Sequence, residues 1–169
     1  MSAKLPGMKA LRVVDAETED GAPGPHGTRL VCGLAEDGVQ AAAALVAHEY
    51  WNRGVDLDRL ARAMRGSTVL VGAFDADGRL VATARALSDG ARSAWVGDVC
   101  VAKEWRGKGL GKAVVEVLLE HPRVRDVDRV RLNTRDAQTL YERFGFIDTQ
   151  KEQRKKKAPP STEMVLRRR

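Results

Sequence analysis

The sequence predicts an α/β chain, α+β in arrangement, built on a mixed, mostly antiparallel sheet of about six to seven strands with flanking helices. Three observations carry this reading. Residues 68–74, 80–87 and 93–101 are short apolar runs separated by Asp75-Ala-Asp-Gly78 and Ser88-Asp89-Gly90, turn sequences that suit tight antiparallel connections. Upstream of them apolar residues recur at helical spacing. Downstream a glycine-punctuated loop opens directly into an amphipathic segment.

The chain of 169 residues is 43% hydrophobic, enough for one domain with a core of its own. The formal net charge of +6 gathers largely in the C-terminal segment, at Lys151, Arg154, Lys155, Lys156, Lys157 and Arg167, Arg168, Arg169. Such a run reads as a solvated loop, and the few aromatic residues offer no stacking platform, so nucleic acid is disfavoured as a partner. Cys32 and Cys100 lie in apolar runs without spaced His or Cys partners. They are expected as free thiols of a reducing cytosol, with no metal site. No run approaches the roughly 18–20 apolar residues that span a bilayer, so a cytoplasmic protein without membrane attachment is expected.

Taken in order, residues 1–27 are polar and broken by glycine and proline, and are expected as a flexible leader with one extended piece near 11–14; a single domain is expected over 28–169. Residues 28–33 read as a first strand. Val39, Ala42, Ala43, Val46 and Tyr50 mark one helix, stopped by Asn52-Arg53-Gly54. Asp56 is the expected N-cap of a second, with Leu57, Leu60, Ala61 and Met64 on one face. The three central strands follow. The next helix carries Leu110, Val114, Val117, Leu118 and His121 on one face and ends at Pro122. Residues 127–132 read as a strand and 136–144 as a short helix closed by Gly145. Residues 146–149 and 163–166 read as a last hairpin whose loop is the lysine-rich, Pro159-Pro160 segment.

The most informative stretch is Arg106-Gly-Lys-Gly-Leu-Gly111-Lys112, between the third central strand and its helix. Glycines at a helix start let the backbone approach a ligand. The first N–H groups, the positive end of the dipole and three cations together suit a phosphate or pyrophosphate. Gly111-Lys112-Ala113 lacks the hydroxyl that a P-loop needs for magnesium. A dinucleotide fingerprint should follow the first strand of a parallel unit, whereas this loop follows an antiparallel meander.

That loop resembles the Arg/Gln-x-x-Gly-x-Gly/Ala signature of the GNAT N-acetyltransferase superfamily. Thr134-Arg-Asp-Ala-Gln-Thr-Leu-Tyr141-Glu-Arg-Phe-Gly-Phe146 is similar to that family's Asn-x-x-Ala-x-x-Leu-Tyr-x-x-x-Gly-Phe segment. The wording of the second block, with the Tyr50-Trp51 pair, resembles a bacterial subgroup of uncharacterised members. The resemblance implies acetyl-CoA as co-substrate. The amides of Gly107, Lys108, Gly109, Leu110, Gly111 and Lys112 would then hold its pyrophosphate with Arg106 as a further cation of the seat, and Val99, Cys100 and Val101 would pair with the pantetheine arm and polarise the thioester carbonyl. It further implies Tyr141 as the acid that protonates the departing thiolate. Thr134 stands where the family usually has Asn, and its hydroxyl would bond the pantetheine amide.

Asp98 is the candidate general base, with loop orientation as the competing role; many relatives have Glu at the preceding position, which is Gly97 here. His48 and His121 read as structural. Tyr50, Trp51, Arg85 and Trp95 are the candidate acceptor-pocket residues, and Arg85 with the lysine-rich loop suits an acceptor bearing a carboxylate or phosphate, or an acidic protein segment. The implied reaction is direct acetyl transfer in a ternary complex to a primary amine of a small molecule or to a protein lysine or N-terminus. A homodimer is compatible with it. An acyl-CoA-binding regulatory module without transfer, and a nucleic-acid-associated protein using the basic tail, stand as alternatives.

Overall fold

A computed structural model describes residues 16–18 and 20–149. The described residues fall into two compact units, a larger one up to Asn133 and a smaller one from Thr134.

The larger unit holds a six-stranded sheet in the order β1 to β6. Its strands are β1 (Ala22–Pro23), β2 (Arg29–Cys32), β3 (Val69–Phe74), β4 (Leu80–Ser88), β5 (Ser93–Val101) and β6 (Arg129–Arg131). Neighbours from β1 to β5 are antiparallel and β6 runs parallel to β5. Helices α1 (Glu36–Ala47), α2 (Leu57–Arg65), α3 (Leu110–Glu120) and the short α4 (Pro122–Arg125) complete this unit among the described residues. The mixed sheet, the central meander and the flanking helices match the class read from the sequence. No helix of the described residues is long and apolar enough to cross a membrane.

Strand alternation sorts the core into two layers. Val69, Val71 and Ala73 of β3 and Ala82, Ala84 and Ala86 of β4 pack with Leu110, Val114, Val117 and Leu118 of α3. Leu70 and Cys100 join α1 and α2 through Val39, Ala42, Val46, Leu60, Ala61 and Met64. α1 and α2 thus cover one face and α3 the other.

Three expectations need adjustment. Ala22 and Pro23 pair with Leu30 and Arg29, so the sheet begins inside the stretch expected as a leader. His121, expected on the α3 face, lies just past the helix end at Glu120 with ψ 134°, because the residue before a proline is kept out of the helical region; Pro122 thus ends α3 as expected and also opens α4, where its missing N–H is no loss. Residues 146–149 form no strand, because the turn at Gly145 continues into irregular chain. The expected extended piece at 11–14, the strand at 163–166 and the lysine-rich loop lie outside the described residues.

In the smaller unit, α5 (Gln138–Glu142) is preceded by a turn in which the Ala137 N–H donates to Thr134 Oγ1 at 3.0 Å. It closes with Gly145 at φ +84° and a Phe146 N–H bond to the Tyr141 carbonyl. The Phe146 ring then meets Tyr141 edge-on, with centroids 5.8 Å apart.

Candidate functional site

The site in the larger unit forms where β5 is irregular. Thr83 pairs with Cys100 and Arg85 with Gly97, so Ala84 alone stands opposite Asp98 and Val99. This extra residue is a β-bulge, and Asp98 takes it up at φ +46°, a region Asp enters more readily than most residues. The bulge redirects the Asp98 side chain into a ring of donors. Arg85 Nε lies 2.6 Å from Oδ2, while Trp51 Nε1 and Asn52 Nδ2 lie 2.9 and 3.1 Å from Oδ1. Asn52 also donates to the Val46 carbonyl at the end of α1, tying that helix to the bulge. Burial alone would raise the Asp98 carboxyl; Arg85, helped by Trp51 and Asn52, outweighs it and holds the group below the usual Asp value. The site residues Trp51, Arg85 and Asp98 are therefore joined in one network, and Tyr50 packs edge-on against Trp51 at 4.9 Å between centroids.

On its other side β5 loses its neighbour. The β5–β6 ladder covers only Ser93, Ala94 and Trp95 of β5, and the stretch from Val96 to Val101 has no strand beside it there among the described residues. Val99 and Val101 pack toward the α3 core. Cys100 points the other way, where burial first, then Glu49, pushes its thiol up to about 12. Such a thiol stays protonated and is a poor nucleophile at neutral pH.

After β5, a turn at Lys103–Trp105 leads into the glycine loop. Gly107 and Gly109 have φ of +76° and +82°. Among the described residues a Cβ at Gly107 would meet nothing within 4 Å, and one at Gly109 only Pro25. Gly109 is the N-cap of α3, and no side chain caps the helix. No acidic residue occupies the first turn, and Lys112 lies there instead, a cation at the positive end of the dipole. The first amides of α3 are thus left for an external acceptor. The donor set and the open backbone fit an anionic phosphate group.

The cations around the loop are not equivalent. Arg106 is turned inward: Nε donates to the Val101 carbonyl at 3.1 Å and Nη2 to Glu49 Oε1 at 2.7 Å. Glu49 Oε1 also lies 3.3 Å from the Cys100 thiol, so one carboxylate links the glycine loop, β5 and the end of α1. Lys108 sits over the Trp105 ring, 4.5 Å from its centroid. Glu49 and Asn52 escaped the sequence reading. Both sit just beyond α1, where periodicity says nothing of long-range contacts.

In the smaller unit, Tyr141 is buried, and burial pushes its phenol up to about 12. The proton therefore stays on the oxygen at neutral pH. Thr134 uses its oxygen as the acceptor of the Ala137 N–H and keeps its hydroxyl proton to donate.

Glu17, Cys32 and His121 bring three ligand-type atoms within 4.8 Å of one another beside a cavity of about 350 Å³. His121 Nδ1 accepts the Arg123 N–H, which puts the ring proton of the neutral imidazole on Nε2, facing Glu17 at 3.1 Å. Burial, then Glu17, pushes the Cys32 thiol up to about 11. The three side chains thus meet as a His121–Glu17 contact with the Cys32 thiol beside it.

Comparisons with known proteins place this geometry. Residues 65–148 match the model of the acetyltransferase (GNAT) domain. A GNAT-family protein from Xanthomonas campestris superposes with a TM-score of 0.66 at 30% identity, over 82% of this chain and 94% of the other. The chain belongs to the GNAT acetyltransferase family. It is also 30% identical over 95 residues to the uncharacterized N-acetyltransferase ycf52 of Pyropia yezoensis, covering 54% of this chain and 55% of that protein. GCN5-related N-acetyltransferase 2, chloroplastic, of Arabidopsis thaliana is 41% identical over 70 residues, 40% of this chain and 27% of its own length. The chain therefore spans about half or less of the curated relatives it matches.

Proposed function

We propose that this chain transfers an acetyl group from acetyl-CoA directly to a primary amine, in a ternary complex and without a covalent enzyme intermediate. The observation that carries the proposal is the uncapped start of α3 beside the outer edge of β5, which past Trp95 has no strand on that side among the described residues: an anion seat next to a strand edge. The pyrophosphate would take the open amides from Gly107 to Lys112, and the pantetheine arm would lie along Val99, Cys100 and Val101 as an added strand. Acetyl-CoA supplies the activated acyl carbon.

The amine nitrogen forms a bond to that carbon, the carbon–sulfur bond breaks, the nitrogen loses a proton and the CoA sulfur gains one. A backbone N–H of the β5 bulge region would stabilise the charge developing on the carbonyl oxygen. Tyr141 is the proposed proton donor to sulfur, a role supported by a phenol that keeps its proton at neutral pH. Asp98 is assigned to positioning. A carboxylate already accepting from Arg85, Trp51 and Asn52, and held below its usual pKa, has weak affinity for a further proton.

The test is to incubate the protein with acetyl-CoA and a panel of primary amines, following thiol release and acetylated product by mass spectrometry. Product from at least one amine, slowed about 100-fold in kcat by Tyr141→Phe with little change in acetyl-CoA affinity, supports the assignment. Acetyl-CoA binding with no product from any amine would favour a sensing module instead.

A further inference from the structure

The same sheet face holds a row of residues that the acetyl-transfer chemistry leaves unused. Arg85 pairs with Gly97, and Leu87 with Trp95, two residues further along the β4–β5 ladder. All four lie on the face whose other end is covered by α1 and α2. That cover stops short of them: Leu87 is 45% and Trp95 39% exposed, and Trp51, at the edge of the cover, is 42% exposed. Three large apolar side chains thus border Arg85 on the open part of the face.

Arg85 itself is only 19% exposed, yet it is incompletely used. Its Nε is committed to Asp98, and the structure gives its terminal amino groups no partner among the described residues. The exposed part of the Arg85 side chain, 19%, leaves the guanidinium a path to solvent. Gly97 keeps the approach clear: a Cβ at that position would sit 3.8 Å from Arg85 Nη2. Asp98 neutralises the pair as a whole, so what remains is a directed fork of N–H donors and not a broad positive field. A planar carboxylate suits such a fork.

We infer that Arg85 is the anchor for a carboxylate on the acceptor, and that the amine this site acetylates is an amino acid with an apolar side chain, its carboxylate on Arg85 and its side chain against Trp51, Leu87 and Trp95. The inference rests on the acetyl-transfer reading and adds the chemical class of the acceptor to it. A neutral or purely cationic amine would leave the Arg85 fork unpaired on binding, and it forfeits a charge-assisted contact.

Matched pairs test this without a known substrate. L-phenylalanine, L-leucine and L-methionine are titrated calorimetrically into protein saturated with CoA, each beside its carboxamide, which has the same side chain and amine but no carboxylate charge. At least one acid is expected to bind about tenfold or more tightly than its amide. Arg85→Gln should erase that gap, Arg85→Lys should keep part of it, and both should bind CoA within about threefold of wild type, as expected for residues far from the phosphate contacts. The inference is overturned if every amide equals or exceeds its acid, if none of the six binds, or if the gap survives Arg85→Gln. Failure of CoA itself to bind overturns the acetyl-transfer reading, and this inference with it. CoA binding followed by equal affinity for acid and amide overturns the Arg85 anchor alone.

Discussion

α2 and α3 are amphipathic helices of similar length that begin in opposite ways. At α2, the Asp56 carboxylate accepts the Arg59 N–H at 2.8 Å, Asp58 adds negative charge to the first turn, and Arg62 and Arg65 occupy the last. The cap, Asp58 and the two C-terminal arginines favour the helix by itself, and only Arg59 in the first turn opposes its dipole. At α3, a glycine at φ +82° replaces the cap, the first turn carries Lys112, and no acid offsets the dipole. Each choice there weakens the isolated helix by a fraction of a kcal/mol to about 1 kcal/mol. The buried Leu110, Val114, Val117 and Leu118 hold α3 in place regardless. A helix secured by its core can leave its N-terminus open, and the contrast with α2 supports the proposal that this terminus receives an anion. The Asp98 carboxylate belongs with α2 in this respect, since Arg85, Trp51 and Asn52 already donate to its oxygens.

This contrast can be sharpened by disturbing paired and open regions in turn. The largest effect is expected at the bulge. Asp98→Ala removes the carboxylate from Arg85, Trp51 and Asn52 and should cost about 3 kcal/mol in urea denaturation, since it strands a largely buried guanidinium. The same group sets a pH dependence. Its folded pKa lies below the unfolded value, so its contribution is fully present above the ordinary Asp range and is lost as pH falls through the folded value. The stability gap between wild type and Asp98→Asn should therefore hold steady from neutral pH to about pH 5 and close only below about pH 4. A gap that closes nearer neutrality would contradict the Arg85 pairing.

A smaller change is expected at the capped helix. Asp56→Ala should lower stability by about 1 kcal/mol and leave acetyl-CoA affinity as it is. The smallest is expected at the open one, with two readouts of opposite sign. Lys112→Glu should raise the stability of the ligand-free protein by about 0.3–1 kcal/mol, because a negative charge suits the start of α3. It should at the same time weaken acetyl-CoA binding. A loss of both stability and affinity would mean that the attraction between Lys112 and Glu116, one turn further on, outweighs the dipole effect.

Much of this organisation was legible in the residues, and the remainder was hidden for identifiable reasons. The Asp56 cap, the central meander, the opening of α3 at the glycine loop and the turn at Gly145 follow from local chemistry, and the structure has them where the residues indicate. Ala22–Pro23 escaped because a two-residue strand containing proline carries no alternation to detect. The bulge at Asp98 escaped because the apolar run of β5 continues through it, and only pairing with β4 reveals the extra residue. Asn52 lies in a segment that reads as a helix stop and Glu49 in one that reads as the helix itself, yet they connect to residues more than forty positions away. Local pattern places the ligand-facing loop. Long-range pairing builds the ring of donors beside it.

The account depends most directly on the open start of α3 holding the CoA pyrophosphate. The measurement that tests it is calorimetric titration of acetyl-CoA into the wild-type protein and a Gly109→Glu variant, with thermal melts confirming that both are folded. Saturable binding to wild type, weakened by more than about 100-fold in the variant, is the predicted result, because the substitution sets a negative charge and a strained side chain at φ +82° where the anion would sit. Equal affinity in the two proteins, or no binding to the wild type, would contradict it.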